Sequence, residues 1–180
     1  LDLGVLGRHN AMNALAVAAT SWVMKIPGEA VSKGVEAFHG AGRRMEFKGT
    51  YHGAQVYDDY AHHPDELRAT LEAIRSMGDH RLVLAFQPHT YTRTKLLMDD
   101  FIRELKKADV VVLAEIYAAR ESNTIGISSA DLAAQIPGSI YCETLQDVTE
   151  TLRKIVKEGD IVVTMGAGDI FRAGEALLAE

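Results

Sequence analysis

The sequence predicts an α/β fold, doubly wound, in which a mostly parallel sheet carries helices on both faces. Two observations carry this expectation. Runs such as Arg81-Leu-Val-Leu-Ala-Phe86, Asp109-Val-Val-Val-Leu113 and Asp160-Ile-Val-Val-Thr164 lack apolar/polar alternation, as strands buried on both faces do. Each run is followed by a stretch of helical period, and alternation of strands with helices is how parallel strands are joined.

Taken in order, the apolar run Leu1 to Leu6 reads as a strand that enters a helix starting near Asn10 and stopping at Ile26-Pro27-Gly28. A second amphipathic stretch with Val31, Val35 and Phe38 runs to His39-Gly40-Ala41-Gly42. This glycine-rich joint is the expected domain boundary, dividing residues 1–42 from 43–180. Residues 45–56 read as two strands around a turn at His52-Gly53. Strands are then expected at 54–59, 81–86, 109–113, 138–142 and 160–164, with helices at 64–76, 93–107, 128–135, 146–157 and 169–179.

Composition narrows the function. At 180 residues and 47% apolar, the chain can bury one ordinary core with a fragment to spare. A net charge of −6 leaves no surplus of Lys and Arg to neutralise a phosphate backbone, so nucleic acid is excluded as an expected partner. Cys142 stands alone and cannot form an internal disulfide, and no apolar run approaches the roughly 20 residues of a membrane span. A cytoplasmic protein without membrane contact is expected. The start at Leu1, with neither an initiator methionine nor a leader segment, reads as a cut from a longer chain.

The densest chemistry lies in Asp58-Asp-Tyr-Ala-His-His-Pro64, at the carboxyl end of an expected parallel strand, where open α/β sheets bind their ligands. Pro64 suits the first position of the following helix, and Asp65 and Glu66 suit its positive end. As loop residues, Asp59 and His62 are expected to be replaceable with little loss of stability. Adjacent His62 and His63 do not converge easily on one tetrahedral metal ion, and no second His/Cys pair has ligand spacing, so no metal site is expected. A second strand end, Gln87-Pro-His-Thr-Tyr-Thr-Arg-Thr94, puts His89 and Arg93 near a helix start, where a guanidinium and backbone N–H groups suit a carboxylate or phosphate. The bland alternative is a capping Thr90 with a solvated Arg93. A third candidate, Gly166-Ala-Gly-Asp169, lacks the last glycine of a dinucleotide fingerprint, so close strand-to-helix packing is its expected role. There is no Gly-Lys dipeptide and hence no phosphate-binding P-loop.

Together, GRHNAMNALA from Gly7, GRRMEFKG from Gly42, VYDDYAHHPDEL from Val56, FQPHTYTRT from Phe86 and VTMGAGDI from Val163 resemble the Mur ligases across essentially the whole chain. The resemblance implies the end of a central ATPase domain, up to Gly42, followed by a Rossmann-like C-terminal domain that closes over the active site. Loss of the P-loop to the remainder of the ATPase domain is then understandable. The implied chemistry is amide formation: ATP phosphorylates a carboxylate, and an amine attacks the acyl phosphate.

The motifs are most similar to the branch that joins L-alanine to UDP-N-acetylmuramate. Alternatives are the branch that joins a recycled tripeptide to the same UDP-sugar, and a non-catalytic nucleotide-responsive module. By motif match, His9, Asn10 and Asn13 are implied to contact adenine and ribose, Arg44 to reach the nucleotide and Asp59 to accept from the ribose. Asn10 could also be an ordinary N-cap. Tyr60, His62, His89 and Arg93 are implied to face the muramoyl carboxylate and the incoming amino acid, with His62 and Arg93 supporting catalysis by orientation and charge. ATP and Mg2+ are the implied cofactors, the metal ligands lying mostly outside this chain. The missing N-terminal and central domains of the same protein are the implied partners of this chain, and self-association of the isolated chain is a further expectation.

Overall fold

The computed structural model describes residues 2–5 and 7–179. The chain runs α1 (Arg8–Val23), α2 (Gly28–Glu36), β1 (Glu46–Tyr51), β2 (Ala54–Asp59), α3 (Pro64–Arg75), β3 (Leu82–Phe86), α4 (Tyr91–Leu96) and α5 (Met98–Leu105). It continues through β4 (Val110–Ala114), α6 (Ser129–Ala133), β5 (Ile140–Cys142), α7 (Leu145–Ile155), β6 (Ile161–Met165) and α8 (Phe171–Leu178). The six strands form one sheet in the order β1-β2-β6-β3-β4-β5, with β1 antiparallel to β2 and every other pair parallel.

Successive residues of a strand point to opposite faces, and here both faces are apolar. Leu82, Leu84 and Phe86 of β3 enter a core with Leu67, Leu71 and Ile74 of α3 and Phe101 and Leu105 of α5. Val83 and Ala85 enter the opposite core with Val148 and Leu152 of α7 and Ala173 and Leu177 of α8. The helices after β2 and β3 thus cover one face, while the helix after β6, the strand between them, covers the other. Loops that diverge in this way open a crevice at the carboxyl ends of the strands.

Two expectations are corrected. Leu1 and Leu6 lie outside the described residues, but residues 2–5 form coil and a bend rather than a strand. A strand needs a neighbour for its N–H and C=O groups, and these residues pair with neither edge strand. Gly4 lies instead against the end of α2, where a Cβ on it would stand 2.8 Å from the Phe38 carbonyl oxygen. The helix expected over 93–107 is broken at Leu97, whose φ of −108° and ψ of 22° end α4 and start α5. The first helix leaves Met12, Leu15, Trp22 and Val23 exposed, and only Ala14 and Ser21 are buried in it. Among the described residues no helix is long and apolar enough to cross a membrane.

Candidate functional site

At the end of β2 the two neighbouring carboxylates point into the protein. Asp58 is 2% exposed; it accepts from Arg43 Nε at 2.8 Å and from the Thr164 hydroxyl at 2.8 Å. Asp59 accepts from the backbone N–H of Met45 at 2.9 Å on one oxygen and from that of Ala61 at 2.8 Å on the other. Burial pushes the Asp59 carboxyl above its ordinary value, against the pull of those two amides and the Arg44 charge, and the charge on Asp58 adds to the rise. Asp59 is therefore part of the turn's scaffold as well as a candidate ligand group, and its placement among loop residues is corrected: it is the buried last residue of β2.

The imidazoles that follow have different tasks. His63 is the N-cap of α3: its Nδ1 accepts from the Asp65 N–H at 3.3 Å, and Glu66 closes a capping box, accepting from the His63 N–H at 3.2 Å. His62 turns the other way. A carbonyl can only accept, so the 2.9 Å contact from its Nδ1 to the Tyr60 oxygen puts the proton on Nδ1 and leaves Nε2 to face outward. The His62 ring meets Tyr60 edge-on at 5.4 Å and lies 5.8 Å from the His89 ring. Burial alone would raise Glu66, but the His62 amide and the nearby His62 and Arg44 charges outweigh it and hold the carboxyl below its ordinary value.

His89 belongs to the next strand end. The loop after β3 is pinned to Tyr117 by two backbone bonds, Thr90 N–H to the Tyr117 oxygen and Tyr117 N–H to the Pro88 oxygen, each 2.9 Å. Its ring stacks on Tyr117 with centroids 5.5 Å apart. Burial, together with the charges of His62 and Arg93, lowers the His89 pKa and keeps the ring neutral near pH 7. Among the described residues, His89 Nδ1 and one terminal nitrogen of Arg93 are buried without a hydrogen-bond partner. Buried donors and acceptors in this state suit a ligand with complementary groups, such as a carboxylate for the guanidinium. Thr90 does not cap α4 through its side chain, and its φ of +71° is rare for a β-branched residue.

The glycine turn after β6 completes the crevice. Gln87 Oε1 accepts from the N–H groups of Asp169 and Ile170, at 3.0 and 3.1 Å, and its Nε2 donates to Asp169 at 3.0 Å. A Cβ on Gly168 would sit 2.3 Å from Gln87 Oε1 and 2.7 Å from the Tyr117 ring, so the turn is glycine because the chain packs against its neighbours. That agrees with the packing role expected for it. Arg44 is half exposed, and its nearest carboxylate, Glu66, is 3.7 Å away.

The structure therefore brings Arg44, Asp59, Tyr60, His62, His89 and Arg93 to one end of the sheet. His9, Asn10 and Asn13 stand on a separate element in the first two turns of α1, and α1 begins at Arg8, so Asn10 is not its N-cap. Sequence reasoning missed three residues that shape the site: Arg43, Gln87 and Tyr117. A buried Asp58 demands a cationic partner, and that requirement was the available signal for Arg43. Nothing in the sequence pointed to Tyr117.

A doubly wound sheet with polar residues gathered at the carboxyl ends of its strands defines a class of α/β domain that many proteins share, and comparison with known proteins identifies the family. The profile described as "Mur ligase, glutamate ligase domain" matches residues 43–168, and the chain belongs to the Mur ligase family. It is 48% identical, over 99% of its length, to the UDP-N-acetylmuramate–L-alanine ligase of Lachnospira eligens, of which it spans 40%. Among solved structures it is similar to UDP-N-acetylmuramate-alanine ligase MurC from Thermotoga maritima, with a TM-score of 0.83 and 27% identity over 99% of this chain and 39% of that one. It is also similar to a murein peptide ligase from Psychrobacter arcticus, at a TM-score of 0.69 and 26% identity over 99% of this chain and 38% of that one.

Proposed function

We propose that this chain is the end of the central domain, residues 1–42, and the C-terminal domain, residues 43–180, of a ligase that joins L-alanine to UDP-N-acetylmuramate with ATP. The boundary is supported by the family match, which begins at residue 43. The observation that carries the activity is the set of unpartnered groups on His89 and Arg93, with the His89 ring 5.8 Å from that of His62, in a chain so similar throughout to L-alanine ligases. This reading makes the full-length protein a cytoplasmic enzyme of peptidoglycan precursor synthesis, with the missing domains as the partners of this chain. Alone, the chain is expected to be inactive.

A carboxylate is a poor electrophile, so ATP first transfers its γ-phosphoryl group to it with release of ADP; the amine of L-alanine then attacks the acyl carbon and displaces phosphate. In this reading Arg93 pairs with a carboxylate, which fixes its distance from the reacting amine. His62, with Nε2 outward, orients and stabilises the charge that develops during acyl transfer. His89, held neutral, offers a hydrogen bond without adding a positive charge beside the incoming ammonium. Tyr60, edge-on to the His62 ring, lines the site beside it. Arg44 and Asp59 meet the nucleotide across the crevice, and His9, Asn10 and Asn13 meet its adenine and ribose from α1. Closure of the domains excludes water from the acyl phosphate.

ATP and Mg2+ are the cofactors of this reading. Among the described residues no group of three or more His, Cys, Asp or Glu could hold a metal ion, so these residues do not fit a complete Mg2+ site and no step here runs through the metal.

The test is phosphate release by the full-length protein with UDP-N-acetylmuramate, ATP and, in turn, L-alanine, glycine, L-serine and the L-alanyl tripeptide. Release with L-alanine is expected. Release with the tripeptide alone would replace this reading by the recycling one, which the similarity to the murein peptide ligase keeps in view. A protein that binds ATP and turns over none of the acceptors would be a nucleotide-responsive module.

A further inference from the structure

Arg43 spends every polar group it has inside the fold. Its N–H donates to Glu46 at 2.7 Å and its carbonyl accepts from the Tyr60 N–H at 2.7 Å. Its Nε donates to the buried Asp58 at 2.8 Å, one terminal nitrogen to the Gly166 oxygen at 2.8 Å and the other to the Gly168 oxygen at 3.3 Å. The guanidinium also lies over two rings, 4.9 Å from the centre of Tyr60 and 4.6 Å from that of Phe171. One side chain thus ties the segment before β1, the end of β2 and the glycine turn after β6.

The backbone of Arg43 is left-handed, with φ of +57°, a conformation that an L residue keeps only where its surroundings enforce it. Arg44, next in the chain, behaves differently: half exposed and held only loosely by Glu66, its guanidinium rests 5.7 Å from the same Tyr60 ring. We infer that Arg43 is a positioning residue, which fixes the direction in which Arg44 leaves the chain and thereby sets affinity for the nucleotide. The inference rests on the nucleotide role proposed above for Arg44. It follows from the geometry that lysine cannot replace Arg43, because three acceptors and two aromatic faces surround a flat, forked cation.

The experiment compares wild type, Arg43→Lys, Arg44→Ala and the double variant in the full-length enzyme. It measures kcat, KM for ATP, KM for L-alanine and melting temperature. Arg43→Lys should raise KM for ATP on the order of tenfold while changing KM for L-alanine much less, as a misplaced binding group does. In the Arg44→Ala background the same change should add little, because Arg43 acts through Arg44. Wild-type KM for ATP in Arg43→Lys, a lower melting temperature with no change in KM, or losses that simply add would each overturn the inference. Normal KM for ATP in Arg44→Ala would remove the nucleotide role from Arg44, and the inference with it. If the wild type released no phosphate at all, the proposed activity would be the part that failed. Calorimetric titration of the same four proteins with a non-hydrolysable ATP analogue would then decide on Arg43 by the same pattern.

Discussion

The His89 and Tyr117 rings stack at 23°, and a parallel β-bridge joins the same two residues through their backbones. A ring held at both levels has little freedom to turn, so the direction of His89 Nδ1 depends on Tyr117. Such a stack is worth about 0.5–1.5 kcal/mol, or roughly two- to tenfold in an equilibrium. In the full-length enzyme, Tyr117→Ala is expected to raise KM for the acceptor amino acid within that range and to leave KM for ATP near wild type. Tyr117→Phe keeps the ring and is expected to match wild type; steady-state kinetics on the pair checks both.

Protonation of His89 should cost stability. Its pKa in the folded protein lies below the ordinary 6.5, chiefly through burial, so the folded state prefers the neutral ring. The unfolded chain takes up the proton first as the pH falls. The stabilisation is therefore complete above pH 6.5 and is lost as the pH drops through the folded value. Melting curves from pH 8 to about 5 should show a decline that is shallower in His89→Gln. Equal slopes in the two proteins would show that His89 does not contribute.

Substitutions at Asp59 and His62 are expected to separate stability from turnover. Removing the Asp59 side chain strands the buried amide of Ala61 and the half-buried amide of Met45, and an unsatisfied buried group costs about 1–3 kcal/mol. Asp59→Ala should thus lose about 2 kcal/mol or more in urea unfolding as well as activity. His62 gives α3 its backbone N–H, which survives substitution, so His62→Ala should stay within about 0.5 kcal/mol of wild type while turnover falls strongly. A His62→Ala enzyme with normal turnover would remove that residue from the site.

Two glycines should respond to alanine with opposite sign. At Gly168 the new methyl group collides with Gln87 and Tyr117, and a loss of about 1–3 kcal/mol is expected from overpacking. Gly34 sits in α2 with nothing within 4 Å of a Cβ, and Gly34→Ala should gain about 0.5–1 kcal/mol from helix propensity. Chemical denaturation of both variants makes the comparison.

Much of this architecture was readable from pattern alone. The two-faced strands and amphipathic helices declare themselves because parallel sheets bury both faces, and the turn at His52-Gly53 falls where expected. The break at Leu97 gave no sign, since no glycine or proline marks it. At the site, Tyr60, His62, His89 and Arg93 stood out because polar residues cluster at strand ends. Arg43 did not, because its partners Asp58, Gly166 and Gly168 come from distant parts of the chain. Which of two adjacent arginines turns inward is decided by a left-handed backbone, a property that no residue type announces except glycine.

The last strand in the chain lies in the middle of the sheet, and this has a bearing on how the protein is made. Thr164 of β6 reaches Asp58 of β2 across 106 residues, and β6 alone separates β2 from β3. During synthesis the half of the crevice that carries His62 and the half that carries His89 stay unjoined until β6, which follows both, has been made. Closure of so long a loop is slow, and until it occurs two apolar sheet edges face the solvent. A chain truncated before residue 161 would lose the seam of the crevice, not merely its end, and should be recovered as aggregate.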